Sequence, residues 1–227
     1  MVTTKRIVCL ANSRKLHGRC IAGRELINDF PGDWIRPVST REHQEVSEYE
    51  RQYNDGSDPK LLDILDIPLQ KHQPRDYQQE NWLLDPEYYW RKVAKYSWND
   101  LQKLSEIGGT LWRNGDSTYN GSNDQIQLHH AKDETSSLKL IHVDKLSLRV
   151  FAPGEAFGNS KRRVQGRFRF GYNYYALWVT DPDVERAYLK REDGNYDLGE
   201  CYLTISLGEP YESYCYKLIA AVMEKPR

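Results

Sequence analysis

Arginines recur along one short polar stretch of the chain at a spacing that suits an extended backbone. In "RRVQGRFRFGYNYY", Arg163, Arg167 and Arg169 are separated by even numbers of residues. Successive side chains of a β-strand point to opposite faces, so a strand here would place all three guanidinium groups on one face. Successive positions on one strand face lie about 6 to 7 Å apart, which matches the phosphate repeat of a nucleic-acid backbone in order of magnitude. The spacing predicts a row of phosphate contacts, and the alternative is an ordinary solvated strand face.

The same alternation sorts the aromatic residues of this stretch. It predicts that Tyr175 shares the arginine face, where its ring would be available to stack on a base. Phe168, Phe170, Tyr172 and Tyr174 fall on the opposite face, which is apolar. We expect that second face to pack in a core.

A second basic cluster lies in the polar turn "NSRKLHGRC" near the N-terminus. It contains Arg14, Lys15 and Arg19, and the later phrase "DWIRPVS" adds Trp34 and Arg36. Loops at the mouth of small β-barrels often contact ligands. We therefore predict phosphate contacts from these cations and base stacking from Trp34. The alternative is a solvated hairpin.

Amide, carboxylate and aromatic groups come together in the phrase "YQQENW". Gln78, Glu80 and Asn81 are the polar residues of this phrase that would line a pocket and read a base edge. The same residues could instead form a polar network that fixes neighbouring elements to each other. Both interpretations stay open at the level of sequence.

Signatures of enzymes are weak throughout the chain. It has no phosphate-binding loop, no serine-hydrolase elbow and no zinc-protease motif. "SDPK" sets Asp58 and Lys60 close together as in metal-dependent nucleases, but within a turn that is common in charged proteins. We therefore predict a protein without catalytic residues, metal or cofactor, and metal-dependent hydrolysis is the least favoured alternative.

Composition and charge narrow the class of protein. Lys and Arg number 32 against 33 Asp and Glu, so any polyanion site must be a local patch. No run approaches the roughly 20 apolar residues of a membrane helix, and the N-terminus lacks the pattern of a signal peptide. The 4 cysteines have no metal-site or redox spacing. We expect a cytoplasmic protein with free thiols and no membrane partner.

Short strand patterns, divided by Gly and Pro, predict a mainly β fold built of two small barrels. The 16 Tyr and 6 Trp suit such a fold. The first barrel would span residues 1–111 and the second residues 131–227. Between them, residues 112–130 are rich in Gly, Asn, Asp and Ser, which predicts a loop or linker.

Two local signals refine this outline. Helical spacing within "DPEYYWRKVAKYSWNDLQKLSE" predicts a short helical segment at the end of the first barrel, with Ser97 as a cap. The residues that carry this spacing are Tyr89, Val93, Leu101 and Leu104. In "VTDP", Asp181 is expected to accept hydrogen bonds from backbone amides of a turn that Pro182 directs.

Several phrases of the chain together resemble one bacterial family, the dual OB-containing domain. The phrases are "KRIVCLANSRKLHGRCIAGREL", "DWIRPVS", "LLDILDIPL", "YQQENW", "YYALWVTDP" and "LTISLGEPYESYCYKLIAAV". The resemblance covers almost the whole chain and implies two consecutive OB-like barrels, and the helical spacing places the short helical segment between them. It also implies binding of nucleic acids or nucleotides, by analogy from fold to function, in proteins associated with genome conflict.

From residues and resemblance together we predict a non-enzymatic module that binds single-stranded DNA or RNA, with an accessory role in prokaryotic defence or mobile-element conflict. Its partners would be nucleic acid and a protein encoded nearby. Two alternatives stay open: a sensor of a small nucleotide or modified base, and a protein-interaction module for a partner enzyme.

Overall fold

The computed structural model describes residues 2–226 and is mainly β, as predicted. The strands are β1 (Thr3–Lys15), β2 (Gly18–Ile27), β3 (Phe30–Val38), β4 (Asp63–His72), β5 (Asn81–Leu84), β6 (Arg91–Lys95), β7 (Gln125–Gln127), β8 (Leu138–Val143), β9 (Leu146–Phe151), β10 (Arg163–Phe170), β11 (Asn173–Val179), β12 (Gly194–Leu198), β13 (Cys201–Leu207) and β14 (Tyr214–Glu224). The helices are α1 (Glu48–Arg51), α2 (Leu128–Ala131) and α3 (Pro182–Tyr188), with 3₁₀ helices at Trp98–Lys103 and Glu155–Phe157. Among these residues, no helix has the length and apolarity needed to cross a lipid bilayer.

The chain folds into two compact units, each with its own sheet. The first comprises residues 2–104 together with Thr135–Ser137, and the second comprises Ser105–Glu134 and residues 138–226. The segment 112–130, for which the composition predicts a loop or linker, includes β7 and part of α2 and belongs to the second unit.

The sheet of the first unit closes on itself. Strand β1 pairs with β4 along Thr3–Val8 and with β2 along Ile7–Lys15, so one long strand serves two neighbours. Pairings of β2 with β3, β3 with β5, and β5 with β4 complete a ring of five strands, in which only β3 and β5 run parallel. Apolar side chains such as Ile7, Ile35 and Leu65 fill its interior. The result is a small barrel without a free edge among these five strands.

The second unit repeats this connectivity. Within its eight-stranded sheet, six strands follow the order β9-β10-β11-β14-β13-β8, and β11 and β14 form the parallel pair. Strands β8 and β9 are separated only by Asp144 and Lys145; β8 pairs with β13, while β9 pairs with β10. Together they take the two roles that β1 fulfils alone in the first unit. The shared connectivity shows an internal repeat that the sequence itself does not reveal.

Helix positions repeat as well. In the first unit α1 lies between β3 and β4 along the chain, and in the second α3 lies between β11 and β13. Asp181 is the N-cap of α3, where its carboxylate accepts hydrogen bonds from the backbone N–H groups of Asp183 and Val184. Its other oxygen accepts from the N–H of Val222 in β14. The prediction that Asp181 bonds backbone amides is confirmed.

The predicted helical segment is only partly present. The 3₁₀ helix Trp98–Lys103 forms, and the Ser97 hydroxyl caps it by accepting from the N–H of Asn99 at 3.2 Å. Upstream, however, Arg91–Lys95 is the strand β6, so the helical interpretation of Tyr89 and Val93 was wrong. Strand β6 pairs with β4, and these ladder hydrogen bonds outweigh the weak helical preference of the segment.

Candidate functional site

The predicted arginine row lies on the outer face of the second unit. Strand β10 alternates as expected: Val164 and Phe168 are buried, whereas Arg163 and Arg167 are half-buried and Arg169 is exposed. The inward side chains pack against the barrel interior, which leaves the guanidinium groups on the other side of the sheet. We call the outer surface of β9, β10 and β11 the arginine face.

Arg149 of β9 joins this row from the neighbouring strand. It stands opposite Gln165, which itself lies between Arg163 and Arg167 on the same face. Among residues 2–226, no carboxylate forms an ion pair with Arg149, Arg167 or Arg169. The positive charge of these three groups is therefore not neutralised by a neighbouring carboxylate within the described chain.

Tyr175 does not share the arginine face, contrary to prediction. Strands β10 and β11 are joined by the two residues Gly171 and Tyr172, and Phe168 stands directly opposite Tyr175. Directly opposed residues of an antiparallel pair share one face, so Tyr175 lies with Phe168 on the core side. It is completely buried, and the two rings stack at 5.4 Å. The role of Tyr175 as an exposed stacking residue is thereby corrected.

Two other aromatic residues, Tyr174 and Trp178, lie on the arginine face instead of Tyr175. Tyr174 stands opposite Arg169 and is 41% exposed, and Trp178 stands opposite Gln165. Trp178 also stacks on Phe151 of β9, with ring centroids 5.8 Å apart. Sequence reasoning missed these rings because it carried the alternation of β10 unchanged through the turn. Restarting the count after the turn would have found Tyr174 and Trp178.

Guanidinium groups and aromatic rings alternate at one end of this face. Arg163 lies over the Trp178 ring at 4.0 Å, and Arg149 lies over the Phe151 ring at the same distance. Such cation–π contacts hold flexible arginine side chains in place without cancelling their charge. The arrangement can accept an anion at the guanidinium groups and a planar group beside the rings.

A loop of the second unit is anchored next to this face. We call residues 111–124 the 111–124 loop. At its start, the backbone N–H of Leu111 donates a hydrogen bond to the Tyr175 hydroxyl at 3.1 Å. Asn114 donates to the same hydroxyl at 2.9 Å. The ammonium group of Lys217 donates to the carbonyl of Arg113 at 2.6 Å and to the side chain of Asn114 at 3.0 Å. Burial lowers the pKa of Lys217 to about 8.

The basic cluster of the first unit lies at the hairpin between β1 and β2. Arg14 and Lys15 end β1, Arg19 is near the start of β2, and Leu16 takes a left-handed backbone at the turn with φ of 47°. Arg14 is exposed, while Lys15 and Arg19 are half-buried. The structure brings these three cations together at one end of the first barrel.

Trp34 and Arg36 do not belong to an exposed surface, and their predicted contacts with nucleic acid are corrected. Trp34 is 6% exposed and Arg36 is 5% exposed. The Arg36 guanidinium pairs with the Glu80 carboxylate at 2.9 Å and donates to the Ser137 hydroxyl at 2.7 Å. A cation that is enclosed and paired in this way supports the fold and cannot reach a phosphate in solvent.

Apart from the exposed Gln79, the amide and carboxylate residues of "YQQENW" form a buried network and not a pocket. Glu80 accepts hydrogen bonds from the hydroxyl and the N–H of Ser137. The Asn81 side chain donates to that of Gln78 at 3.2 Å. All three members of the predicted pocket, Gln78, Glu80 and Asn81, are at most 9% exposed. The network interpretation, which the sequence left open, is the one that the structure adopts.

A separate open pocket of about 460 Å³ lies in the first unit. Asp58 and Lys60, the residues of "SDPK", are part of its wall together with Tyr53, Asp63 and Trp90. Asp58 accepts from Arg51 at 2.9 Å, and Asp63 accepts from the Tyr53 hydroxyl at 2.8 Å. Within residues 2–226, no group of three or more His, Cys, Asp or Glu side chains is placed to hold a metal ion.

A closed five-stranded barrel and a second sheet of the same connectivity, each with one parallel pair, define a protein built of OB-type units. Comparison with known families agrees. The chain matches the model of the dual OB-containing domain over residues 5–222, and it belongs to that family. No curated protein and no solved structure matches it.

Proposed function

We propose that this chain is a non-enzymatic module that binds single-stranded nucleic acid through the arginine face of its second unit. The observation that carries the proposal is the combination of Arg149, Arg163, Arg167 and Arg169 with exposed or half-exposed aromatic rings on one sheet surface. In OB-type barrels, the face of the second and third strands is the usual ligand surface. Strands β10 and β11 hold these positions in the second unit.

Different side chains on this face would contact the phosphates and the bases of the bound strand. Arg167 and Arg169 would bind backbone phosphates, since an arginine presents several N–H donors in a fixed fork. Tyr174 and Trp178 would stack on bases. Bases of a duplex are already stacked on each other, so ring contacts favour an unpaired strand.

The first unit would contribute through its hairpin. On β2 and β3, the side chains Ala22, Trp34 and Arg36 are all buried and offer no exposed ring or cation to a ligand. Arg14, Lys15 and Arg19 at the hairpin between β1 and β2 would supply additional phosphate contacts, which agrees with the frequent use of this loop in OB-type proteins. The second unit would therefore supply the stacking contacts.

The small-nucleotide alternative loses its proposed site, because Gln78, Glu80 and Asn81 are enclosed in the polar network. Neither an accessory role in prokaryotic defence nor a neighbour-encoded protein partner is tested by these contacts, and both stay predictions. A strand binder requires several linked phosphates, so a mononucleotide should fail to compete with an oligonucleotide.

The test is the salt dependence of binding to single-stranded oligonucleotides. Counterion release gives a slope of log K against log salt of about −0.7 per phosphate contact on single strands. Changing Arg167→Ala and Arg169→Ala together should weaken binding and reduce the magnitude of the slope by about 1.4. Lys95→Ala with Lys103→Ala, two exposed cations of the first unit, is the charge-matched control. An unchanged affinity and slope in the arginine variant would refute the proposal.

A further inference from the structure

The 111–124 loop crosses the arginine face. Its Ser122 exchanges backbone hydrogen bonds with Ala176 of β11, at 3.1 and 3.3 Å. One step further into the face, the carbonyl of Asn120 accepts from the side chain of Gln165 in β10 at 2.6 Å. The Asn120 side chain then donates to the carbonyl of Pro153, directly after β9. The loop therefore contacts β11, β10 and the segment that follows β9.

This loop is internally braced. Asp124, which is buried, accepts from both the N–H and the hydroxyl of Thr118. Asn123 accepts from the N–H of Gly115 at 2.9 Å and donates to the carbonyl of Tyr174 at 3.0 Å. Hydrogen bonds to charged or buried groups fix a loop more firmly than exposed ones. The loop is thus an ordered part of the surface of the second unit and not a linker.

The position of the 111–124 loop determines which residues of the arginine face a bound nucleic-acid strand can contact. Gln165 lies midway along the arginine row, yet it is fully covered. A strand that follows the row from Arg163 to Arg169 cannot reach Gln165 and must pass over the loop. The residue next to Asn120 is Tyr119, whose side chain is 91% exposed. Adjacent Cα atoms are about 3.8 Å apart, so Tyr119 stands beside the middle of the row.

We propose that the 111–124 loop forms part of the nucleic-acid surface and that Tyr119 stacks on a base of the bound strand. This inference rests on the proposed function. A large aromatic side chain held almost entirely in solvent gains nothing from packing in the unbound protein, and base stacking would bury it. The loop would then set the position of one base relative to the phosphates held by Arg163 and Arg167.

Equilibrium binding of twelve-nucleotide single-stranded oligothymidylate and oligouridylate, at several salt concentrations, tests the inference. Stacking on an aromatic side chain contributes about 1 to 3 kcal/mol per base, so Tyr119→Ala should weaken binding roughly 5- to 150-fold without changing the salt slope. Tyr119→Phe keeps the ring and should bind within about twofold of the natural protein. Tyr49→Ala, which removes a 71% exposed ring of the first unit, is the control and should bind normally.

The outcomes separate this inference from the proposed function. If the natural protein binds and Tyr119→Ala binds equally well, the role of Tyr119 is refuted while the arginine face stands. If the natural protein binds neither oligonucleotide, the proposed function fails and the inference fails with it. Loss of binding in Tyr119→Phe as severe as in Tyr119→Ala would also refute stacking, because only the hydroxyl is removed. Thermal unfolding of each variant checks that the fold is retained.

Discussion

The ammonium group of Lys217 donates a hydrogen bond to the carbonyl oxygen of Arg113 at 2.6 Å, across 104 residues of sequence. Lys217 is completely buried in β14, and it also donates to Asn114. The buried amine thereby ties the start of the 111–124 loop to the central sheet of the second unit. A fully buried lysine is rare unless polar partners compensate for its desolvation, and the loop supplies them.

This contact predicts a pH dependence of stability. The pKa of Lys217 is lowered to about 8 by burial, although Asp116, Asp124 and Glu134 oppose the shift. An unfolded lysine titrates at about 10.4, so the unfolded state binds more protons between these two pH values. The free energy of unfolding should therefore gain a rising contribution from Lys217 above pH 8.

Denaturant unfolding of the natural protein and of Lys217→Met, at pH values from 7 to 9.5, measures that contribution. Cys9 and Cys201 act in the opposite direction, because burial raises the pKa of both thiols to about 12. These thiols are common to both proteins, so their effect cancels in the difference. The stability difference between the two proteins should change with pH, and parallel curves would contradict the prediction.

The Tyr175 hydroxyl is expected to stabilise the second unit. Removing it in Tyr175→Phe leaves the buried N–H of Leu111 and the half-buried amide of Asn114 without this acceptor. An unsatisfied buried donor costs about 1 to 3 kcal/mol, so the free energy of unfolding should fall by this amount. Tyr172→Phe, at a completely exposed ring, is the matched control and should be neutral. Equal stability of the two variants would contradict the role of the hydroxyl.

Gly166 makes room for a core side chain. A methyl group added at Gly166 would lie 2.3 Å from Cδ1 of Ile219, far inside van der Waals contact. Gly166→Ala should therefore destabilise the protein by about 1 to 3 kcal/mol through overpacking. Ile219→Val removes that very carbon, so the double variant should be more stable than the sum of the single effects predicts. Thermal or denaturant unfolding of the cycle measures the coupling, and simple additivity would contradict it.

Arg36 should affect stability and not binding. Arg36→Met leaves the buried Glu80 carboxylate without its cation, which typically costs about 3 to 5 kcal/mol. Adding Glu80→Gln removes the uncompensated charge and should recover part of that loss. Arg167→Met is expected to behave in the opposite way, with little change in unfolding but weaker binding of single strands. A reduced salt slope in Arg36→Met, with normal stability, would restore Arg36 to the binding surface.

Much of this architecture follows from local sequence patterns. The mainly β fold, the capping roles of Ser97 and Asp181, and the faces of β10 are all properties of a few consecutive residues. Alternation along one strand is set by the pleat of the backbone, so Arg163, Arg167 and Arg169 needed no tertiary information to be placed together. The family resemblance, carried by short phrases, was also confirmed.

Other features depend on contacts between distant residues, and no local pattern contains them. The two-residue turn after β10 decides whether Tyr174 or Tyr175 shares the arginine face, since strand pairing resets the alternation. Arg36 has the same chemistry as Arg167, but it is buried in the fold and forms an ion pair with Glu80, which lies 44 residues later in the sequence. The loop rich in Gly, Asn and Ser has no pattern of its own. It is ordered by the buried amine of Lys217 and the hydroxyl of Tyr175, which only the folded second unit brings to it.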